Sequence, residues 1–426
     1  MAPGSLLVGS VFVFMVPIAA VVAVLIAWAV PTSRDPAAAP IDRPGLLLSS
    51  AGMATLVFSI IQAPDWGWGS PRTLGTITLG LLILAVFVSV ENRTARPMLD
   101  VGLFRNPRFT AASGSITIGF FTLAGFTFLI TQYFQFVKAY SPLSTGVRLL
   151  PVATSIAVAA VVGTKLAVRV GNKAVVASGL AMFGTALLWI STASASTPYL
   201  VIAGQMLLGG GGMGLITAPA TEAIMGAVPT EKAGVGSAVN DATRLFGAAL
   251  GVAVIGSIAA SLYGSRLSGG IPQNIPAGAA LAAKGSVGGA LVAAQSLGRA
   301  GLAGPAHDLG IAAVGAFLHS LAGGCRVAGS VALGGALMAL GLLPARPSAM
   351  VTALSTSVTH NGPGSHNGDG RWVAGNRRLR DRPATKAAVI GTATGAVDLI
   401  RVEGNWAEVA TPDGSGWLRR QFVHSS

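Results

Sequence analysis

The few ionisable side chains beside long apolar runs are the residues best able to do chemistry in this sequence. Glu222 follows the apolar run 198–221, and Asp241 and Arg244 lie near the start of the run 234–262. An ionisable group is costly inside a bilayer, so each is a candidate for binding a substrate or a proton. Asp241 and Arg244 are three residues apart, on one helical face, where they can pair. A structural ion pair, and a solvated helix end for Glu222, are the competing interpretations.

Uncharged polar side chains form a second group of candidates. Gln132 and Tyr133 close the apolar run 109–134 and could line the mouth of a cavity. A place in the aromatic belt at the membrane surface is the alternative for Tyr133. Gln205 lies within an apolar run and must find a polar partner there, so it either joins two helices or contacts a substrate.

The sequence offers no combination typical of an enzyme or a metal site. His307 and His319 are not spaced with cysteines or carboxylates as a metal site requires, and the lone Cys325 lies in an apolar run. The glycine run 209–212 lacks the Lys-Ser or Lys-Thr of a phosphate loop, and close helix packing or a hinge explains it better. We therefore expect no enzyme activity, no metal and no bound cofactor.

Composition places these residues in a membrane protein. The 426 residues are 52% hydrophobic and only 10% charged, with a mean hydropathy of +0.67. A soluble domain carries about 25% charged residues. The net charge of +13 does not indicate a nucleic-acid partner, because Lys and Arg fall in short clusters between apolar runs. The composition predicts an all-α polytopic membrane protein.

Nine apolar runs are long enough to cross a bilayer, which requires about 20 residues. His319 and Arg326 interrupt the last run, so its membrane portion is expected at 321–343. The first run follows no basic residue and is too long for a signal peptide, so it is expected to be a retained helix. The nine runs are 5–30, 44–63, 71–90, 109–134, 144–162, 174–193, 198–221, 234–262 and 310–343.

Loop charges predict the orientation of these spans. One alternate set of loops holds eleven Lys and Arg, and the other set holds six. The richer set is expected in the cytoplasm by the positive-inside bias. This assignment places the N-terminus outside and the residues from 344 onward inside. The richer loops are 31–43, 91–108, 163–173 and 222–244.

The sequence changes character after residue 345. Residues 346–370 are rich in Ser, Thr, Asn, Gly and His, which is typical of a flexible linker. Residues 371–426 contain short β-type runs separated by turn residues such as Pro412-Asp413-Gly414. This pattern predicts a small, separate all-β domain.

Several short motifs resemble one transporter family. Phe134-Gln135, Tyr140-Ser141-Pro142-Leu143, Gly146 and Leu150-Pro151 resemble the stretch that joins the first two C-domain helices of the fourteen-helix drug:proton antiporters in the major facilitator superfamily. The order and spacing of further motifs extend the resemblance over much of the chain. These motifs are Val16-Pro17-Ile18, Ser33-Arg34-Asp35, Asp65-Trp66-Gly67-Trp68-Gly69-Ser70-Pro71, Pro97-Met98-Leu99-Asp100, Leu103-Phe104-Arg105-Asn106, Pro229, Ala233-Gly234, Asn240, Arg244 and the segment 247–253.

The resemblance implies a fold and a division of the chain. Residues 1–108 would hold the end of an N-terminal half, a linking helical hairpin and a cytoplasmic linker, and residues 109–345 a transporter C-domain. The implied architecture is a major-facilitator C-half of six helices preceded by about three helices. We expect the family's first five helices, with their antiporter motif and membrane-buried carboxylate, to lie outside the resemblance.

The function that this resemblance implies is proton-coupled multidrug efflux across the plasma membrane. Two helical halves would rock around a central site and exchange small amphipathic compounds for protons, with the proton gradient as energy source. A separately encoded N-half or a homo-oligomer is the expected partner. The alternative hypothesis is a non-transporting membrane anchor, or a truncated product, that presents the β domain to a ligand.

The predicted cytoplasmic loop 163–173 resembles the family's glycine-rich basic gating loop. The resemblance rests on Leu166, Arg169, Gly171 and Lys173, but Val168 stands where the family has an acid. That acid normally pairs with a helix end as a conformational latch. Its replacement predicts a weakened latch in this chain.

The tail resembles a bacterial SH3-like domain, a module that usually binds cell-wall peptide outside the cytoplasm. The loop charges instead place this tail inside the cell. A peptide or cell-wall ligand is therefore the expectation from the resemblance alone. The matching residues are Leu379-Arg380, Pro383, Val389-Ile390-Gly391, Gly404-Asn405-Trp406 and Gly414-Ser415-Gly416-Trp417.

Overall fold

The computed structural model describes residues 3–29, 42–94, 101–228, 233–343 and six strands between 371 and 425, with side chains described from Met15 to Leu343 in those segments. The chain divides into two compact units, Met1–Ser348 and Ala349–Ser426. The predicted linker 346–370 lies outside the described residues.

The first unit is helical throughout its described part. A 3-10 turn, Val101–Arg105, precedes α4, and a π-helical turn, Tyr133–Val137, follows it. The helices are α1 Pro3–Ala29, α2 Arg43–Trp66, α3 Pro71–Glu91, α4 Pro107–Gln132, α5 Pro142–Arg148, α6 Leu150–Val170, α7 Asn172–Ile190, α8 Tyr199–Met225, α9 Ala233–Ser268, α10 Ala277–Gly285, α11 Val287–Arg299 and α12 Ala303–Leu342.

Local sequence explains where many of these helices begin. In five of the described helices, the side chain of the residue before the first turn accepts a hydrogen bond from a backbone N–H of that turn. This N–H has no acceptor within the helix, so the side chain stabilises the helix start. Proline follows the cap within two residues at four of them, where its missing N–H costs nothing. The capping residues are Asp42, Ser70, Asn106, Ser141 and Ser286.

Eight of the nine predicted spans coincide with helices that are long and apolar enough to cross a membrane. The first predicted span overlaps α1, whose apolar segment with described side chains is the shorter Met15–Ala29. The last predicted span, 310–343, is part of a continuous helix, α12, that neither His319 nor Arg326 interrupts. At 40 residues α12 is about 60 Å long, twice the hydrocarbon thickness of about 30 Å.

Six long helices, α4, α6, α7, α8, α9 and α12, pack into the core of this unit. Helix α8 lies between α6 and α7, and α4 contacts α8, α9 and α12. We call the end of the bundle that holds Pro107, Val170, Met225 and Ala233 the inner end, and the opposite end, with Val137, Ile190 and Tyr199, the outer end. The inner end is the one predicted to face the cytoplasm.

Glycines let α8 approach both of its neighbours. A Cβ on Gly212 would lie 2.5 Å from the carbonyl oxygen of Gly179 on α7 and 2.7 Å from the backbone nitrogen of Phe183. On the opposite side, Gly210 and Gly214 contact backbone atoms of α6 in the same way. The run 209–212 therefore serves close helix packing, one of its two predicted roles.

The hairpin of α2 and α3 packs against α9. Ser257 Oγ on α9 donates to the carbonyl oxygen of Ile60 at 2.7 Å, and Trp68 Nε1 donates to Ser261 Oγ at 3.0 Å. Such interhelical hydrogen bonds are favoured in a bilayer, where a polar group has no water to bind.

The outer end carries a short helical cap that the sequence did not predict. Helices α10 and α11 pack against each other, and α11 packs against the outer part of α12. The Tyr263 hydroxyl on α9 donates to the carbonyl oxygen of Ala283 on α10 at 3.0 Å. The extra length of α12 is therefore used to support this cap.

The second unit contains one antiparallel sheet. Its strand order is β2-β1-β5-β4-β3, and β6 pairs with β1. Register shifts interrupt the pairing of β1 with β2 and of β3 with β4. The likeness to an SH3-like domain stays a prediction. The strands are β1 Arg371–Arg380, β2 Val389–Ala396, β3 Asp398–Glu403, β4 Trp406–Thr411, β5 Gly414–Arg419 and β6 Val423–Ser425.

Candidate functional site

An open groove runs along the face that α4 and α9 share. Its volume is about 640 Å³, within the range of about 300–1,000 Å³ typical of small-molecule sites. No charged side chain lines it, and α4 supplies a stripe with helical spacing. The lining residues are Phe120, Leu123, Ala124, Thr127, Phe128, Thr131, Gln132 and Val252.

The polar groups of this groove are few. The hydroxyls of Thr127 and Thr131 donate to carbonyl oxygens one turn earlier in α4, at 2.8 and 2.7 Å, so they offer lone pairs to the groove. Gln132 Nε2 makes only a long contact, 3.4 Å, with the carbonyl oxygen of Phe128. The Gln132 amide is thus available to a ligand. Its position in the groove is consistent with the prediction that it lines a cavity mouth.

A smaller chamber adjoins the groove at the outer end. It has a volume of about 160 Å³ and lies among α4, α9, α12 and the turn between α10 and α11. Phe128 and Gln132 line both the groove and the chamber. Gln132 therefore stands at the passage from the groove to the space beneath the cap.

Arg244 lies beside the inner part of the groove. Its Nη2 donates to Thr221 Oγ1 on α8 at 3.0 Å, and its guanidinium lies 5.5 Å from the ring centre of Phe120. Asn240, one turn earlier on α9, accepts from the Thr221 hydroxyl at 3.4 Å. The structure therefore brings Arg244 together with three residues that were not predicted as site residues. The sequence signal that could have identified Asn240 is its i, i+4 spacing from Arg244, which places both residues on one face of α9.

The pair predicted between Asp241 and Arg244 is not formed. Asp241 is exposed, and Arg244 turns toward Thr221, because α9 presents that side of the helix to α8. Glu222 is also exposed, near the inner end of α8, where a solvated carboxylate has little cost. Neither carboxylate lines the groove.

Two other predicted site residues are buried in helix contacts. Tyr133 is fully buried, and its hydroxyl donates to the carbonyl oxygen of Ser194 at 2.7 Å. It therefore lies in neither a cavity mouth nor an aromatic belt. Gln205 is 1% exposed and donates from Nε2 to the carbonyl oxygen of Trp189 at 3.2 Å, so it joins α8 to the end of α7.

The predicted gating loop is a tight turn between two helices. Gly171 alone separates α6 from α7, with a φ of 88° that favours glycine. Arg169 is exposed, whereas Leu166 and Lys173 are half-buried. The side chain of the next residue, Asn172, donates to the carbonyl oxygen of Pro219 at 3.3 Å. An amide thus joins this turn to α8, and any gating role stays a prediction.

Within the segments that the structure describes, no group of three or more His, Cys, Asp and Glu side chains is placed to hold a metal ion. Cys325 is buried in α12. The site is therefore a groove with sparse polar groups and one neighbouring cation.

Comparisons with known proteins give the family of this chain. The family model of the Major Facilitator Superfamily matches residues 3–252. The chain is 32% identical over 267 residues to the multidrug resistance protein Stp of Mycobacterium tuberculosis, covering 63% of this chain and 50% of Stp. It is 31% identical over 289 residues to the multidrug efflux pump LfrA of Mycolicibacterium smegmatis, covering 68% and 57%.

A third relative is the methylenomycin A resistance protein of Streptomyces coelicolor, 30% identical over 252 residues, with 58% of this chain and 52% of the relative covered. The chain spans about half the length of these curated relatives. Because the family model covers more than half of the chain, and its match includes both walls of the groove, the chain belongs to the Major Facilitator Superfamily.

Proposed function

We propose that this chain contributes the C-terminal helical domain of a proton-coupled efflux transporter for small amphipathic compounds in the plasma membrane. The observation that carries the proposal is the groove on α4 and α9. It is apolar, contains two phenylalanines, and offers Thr and Gln side chains at a few points. Such a surface suits substrates that are largely apolar and carry a few polar atoms.

The relatives favour export over uptake, since their names describe multidrug resistance and efflux. Membership of a transporter family favours a non-enzymatic function as well. The comparisons give no support to the membrane-anchor hypothesis. The proposal of proton coupling is based on the resemblance to the drug:proton antiporters alone.

The groove needs an opposing wall for alternating access. In transporters built from two helical halves, the substrate site lies between the halves, which rock against each other. We propose that a second half, from another chain or another copy of this chain, covers α4 and α9. The exposed side chains of Leu245 and Val252 on α9 would then become buried.

The proposal is tested by filling the groove. Everted membrane vesicles with the chain and a candidate opposing half are loaded with a proton gradient, and dye accumulation is followed. Thr127→Trp should abolish accumulation, since the indole would occupy the groove. Thr164→Trp is the control, because Thr164 is also exposed and also donates to a carbonyl oxygen one turn earlier, but it lies on α6, outside the groove. Wild-type accumulation by Thr127→Trp would refute the groove as the transport path.

The chain as a monomer is expected to export nothing, whereas export by a dimer of this chain would identify a second copy as the opposing half. Gradient-dependent export by the purified chain as a monomer would contradict the need for an opposing half. Orientation is a separate part of the proposal. A reporter fused after Lys173 should be cytoplasmic and one after Ser194 extracytoplasmic, and the reverse pattern would overturn the assignment of the inner end to the cytoplasm.

A further inference from the structure

We propose that Arg244 is a specificity-determining residue of the groove, and that it binds the carboxylate or another strong hydrogen-bond acceptor of an aromatic substrate. The substrate's ring would lie against Phe120 in the groove. This inference deepens the proposed function and rests on it. It names a substrate class, aromatic acids and neutral acceptor-bearing aromatics, that a groove without charges would not select.

The guanidinium of Arg244 has unused binding capacity. A guanidinium offers five N–H donors, and the structure assigns one of them, from Nη2 to Thr221 Oγ1 at 3.0 Å. Its Nε is buried and has no hydrogen-bond partner in the structure. Arginine typically binds a carboxylate with two parallel hydrogen bonds, and the N–H groups of Nη1 and Nη2 that Thr221 does not use can form such a pair.

No described carboxylate neutralises Arg244. Asp241 is the nearest acid along α9, but it is exposed and forms no ion pair with Arg244 in the described part of the chain. Glu222 is the acid on the facing helix α8, and it is exposed near the inner end. A half-buried cation within a membrane span is costly without a partner, and a bound anion would supply one.

The location of Arg244 joins this charge to the groove. Phe120 lines the groove, and the guanidinium lies 5.5 Å from its ring centre. An acid bound by Arg244 would therefore place an attached aromatic ring among Phe120, Leu123 and Ala124. A cationic ring system in the same place would be repelled by the positive charge of Arg244, which no acid in the groove lining offsets.

Thr221 is the positioning residue for this site. Its hydroxyl accepts from Arg244 and donates to Asn240 Oδ1 at 3.4 Å, which fixes the direction of both hydrogen bonds. The guanidinium is thereby held between α8 and α9 at the edge of the groove. Loss of this hydroxyl should weaken binding of an acid less than loss of the charge does.

Three probes with one ring system test the inference: anthracene-9-carboxylate, anthracene-9-methanol and 9-(aminomethyl)anthracene. Their equilibrium binding to the full chain is measured in nanodiscs of phosphatidylcholine, which carry no net lipid charge. We expect the carboxylate to bind about tenfold or more tightly than the ammonium probe, as a charged hydrogen bond predicts. Arg244→Gln should remove this preference, and it should weaken binding of the neutral alcohol, whose hydroxyl is a weaker acceptor, much less than binding of the carboxylate.

Arg326→Gln is the matched control, since Arg326 is an exposed arginine in a span but lies on α12, away from the groove. It should keep the preference for the carboxylate. Arg244→Lys is a second variant in case Arg244→Gln fails to fold, and it should keep a reduced preference. Thr221→Val should lower carboxylate affinity by about threefold, the effect of one neutral hydrogen bond.

The outcomes separate this inference from the proposed function. Equal binding of all three probes, or a carboxylate preference that survives Arg244→Gln, would overturn the role of Arg244 and leave the groove intact. Binding of the alcohol that Thr127→Trp does not reduce would instead overturn the groove, and with it the proposed function.

Discussion

Half-buried cations lie at both ends of the bundle, and their surroundings differ. At the outer end, Lys138 Nζ donates to the carbonyl oxygens of Ala195 and Thr197 at 2.6 and 2.7 Å. Arg148 lies 4.1 Å from the ring centre of Tyr140 and, like Arg244, has a buried Nε without a hydrogen-bond partner, but it lies away from the groove. Toward the inner end, Arg244 donates to the Thr221 hydroxyl and lies beside the groove without lining it.

The difference shows how residues of one type can serve two purposes. Lys138 joins the segment after α4 to the loop between α7 and α8, so its hydrogen-bonding capacity is largely spent on the fold. Arg244 has capacity left for a ligand. A cation in a membrane protein is therefore informative about function only when its hydrogen-bond partners are known, and the sequence does not reveal those partners.

The largest effect is expected from disturbing the packing of α8, the helix that contacts both regions of the comparison. Helix α8 carries Thr221 at the inner end and Tyr199 at the outer end, and glycines hold it against its neighbours. Gly212→Ala would place a methyl group against the backbone of α7 and is expected to cost about 3 kcal/mol or more. Folded yield, measured by fluorescence-detected size exclusion, should fall severalfold.

Gly211→Ala is the control for this change. Its added Cβ would lie 3.6 Å from the end of the flexible Met182 side chain, which is an ordinary contact. Yield of this variant should equal that of the wild type. Equal yields for the two variants would show that the backbone contact of Gly212 with α7 does not explain the glycine run.

A smaller effect is expected from removing the outer-end cation. Lys138→Met leaves two loop carbonyl oxygens without their donor, which should destabilise the fold by about 2 kcal/mol and lower the Tm. Lys165→Met, an exposed lysine on α6, should leave the Tm unchanged. If both variants have the same Tm as the wild type, Lys138 does not stabilise the fold and the contrast with Arg244 is lost.

The smallest effect is expected at Asp241. Because this carboxylate is exposed and unpaired with Arg244, Asp241→Asn should change stability by less than about 0.5 kcal/mol. Folded yield and carboxylate-probe binding are the measurements. A marked loss of yield would support the Asp241–Arg244 ion pair that the spacing predicts. Arg244 would then be less available to a ligand.

Helix number and class were predictable because apolar length is a strong and local signal. The cap was not, since α10 and α11 are short and their apolar faces are covered by distant parts of the chain, among them α9, α12 and the π-helical turn. The continuity of α12 was also hidden. His319 and Arg326 are both exposed side chains, and an exposed polar residue does not interrupt a helix.

The site was predictable only in part. Gln132 and Arg244 were identified because polar residues are rare in apolar runs. Their companions were not, since Thr221 and Phe120 come from helices whose rotation about their own axes the sequence does not specify. Tyr133 was misplaced for the same reason: a tyrosine at a helix end can turn toward lipid or toward a neighbouring loop.

The crossing of α4 and α9 has a consequence for how this domain moves. Gly247 and Gly251 bring α9 into direct contact with the backbone carbonyls of Thr117 and Phe121 on α4. Contacts of this kind allow weak Cα–H···O interactions of about 0.5–1 kcal/mol each, and at these two points no side chain separates the two backbones. The two helices should therefore translate and rotate as one rigid body. A change in the width of the groove must then come from movement of the second half that covers it. In that movement α4 and α9 keep their positions relative to each other.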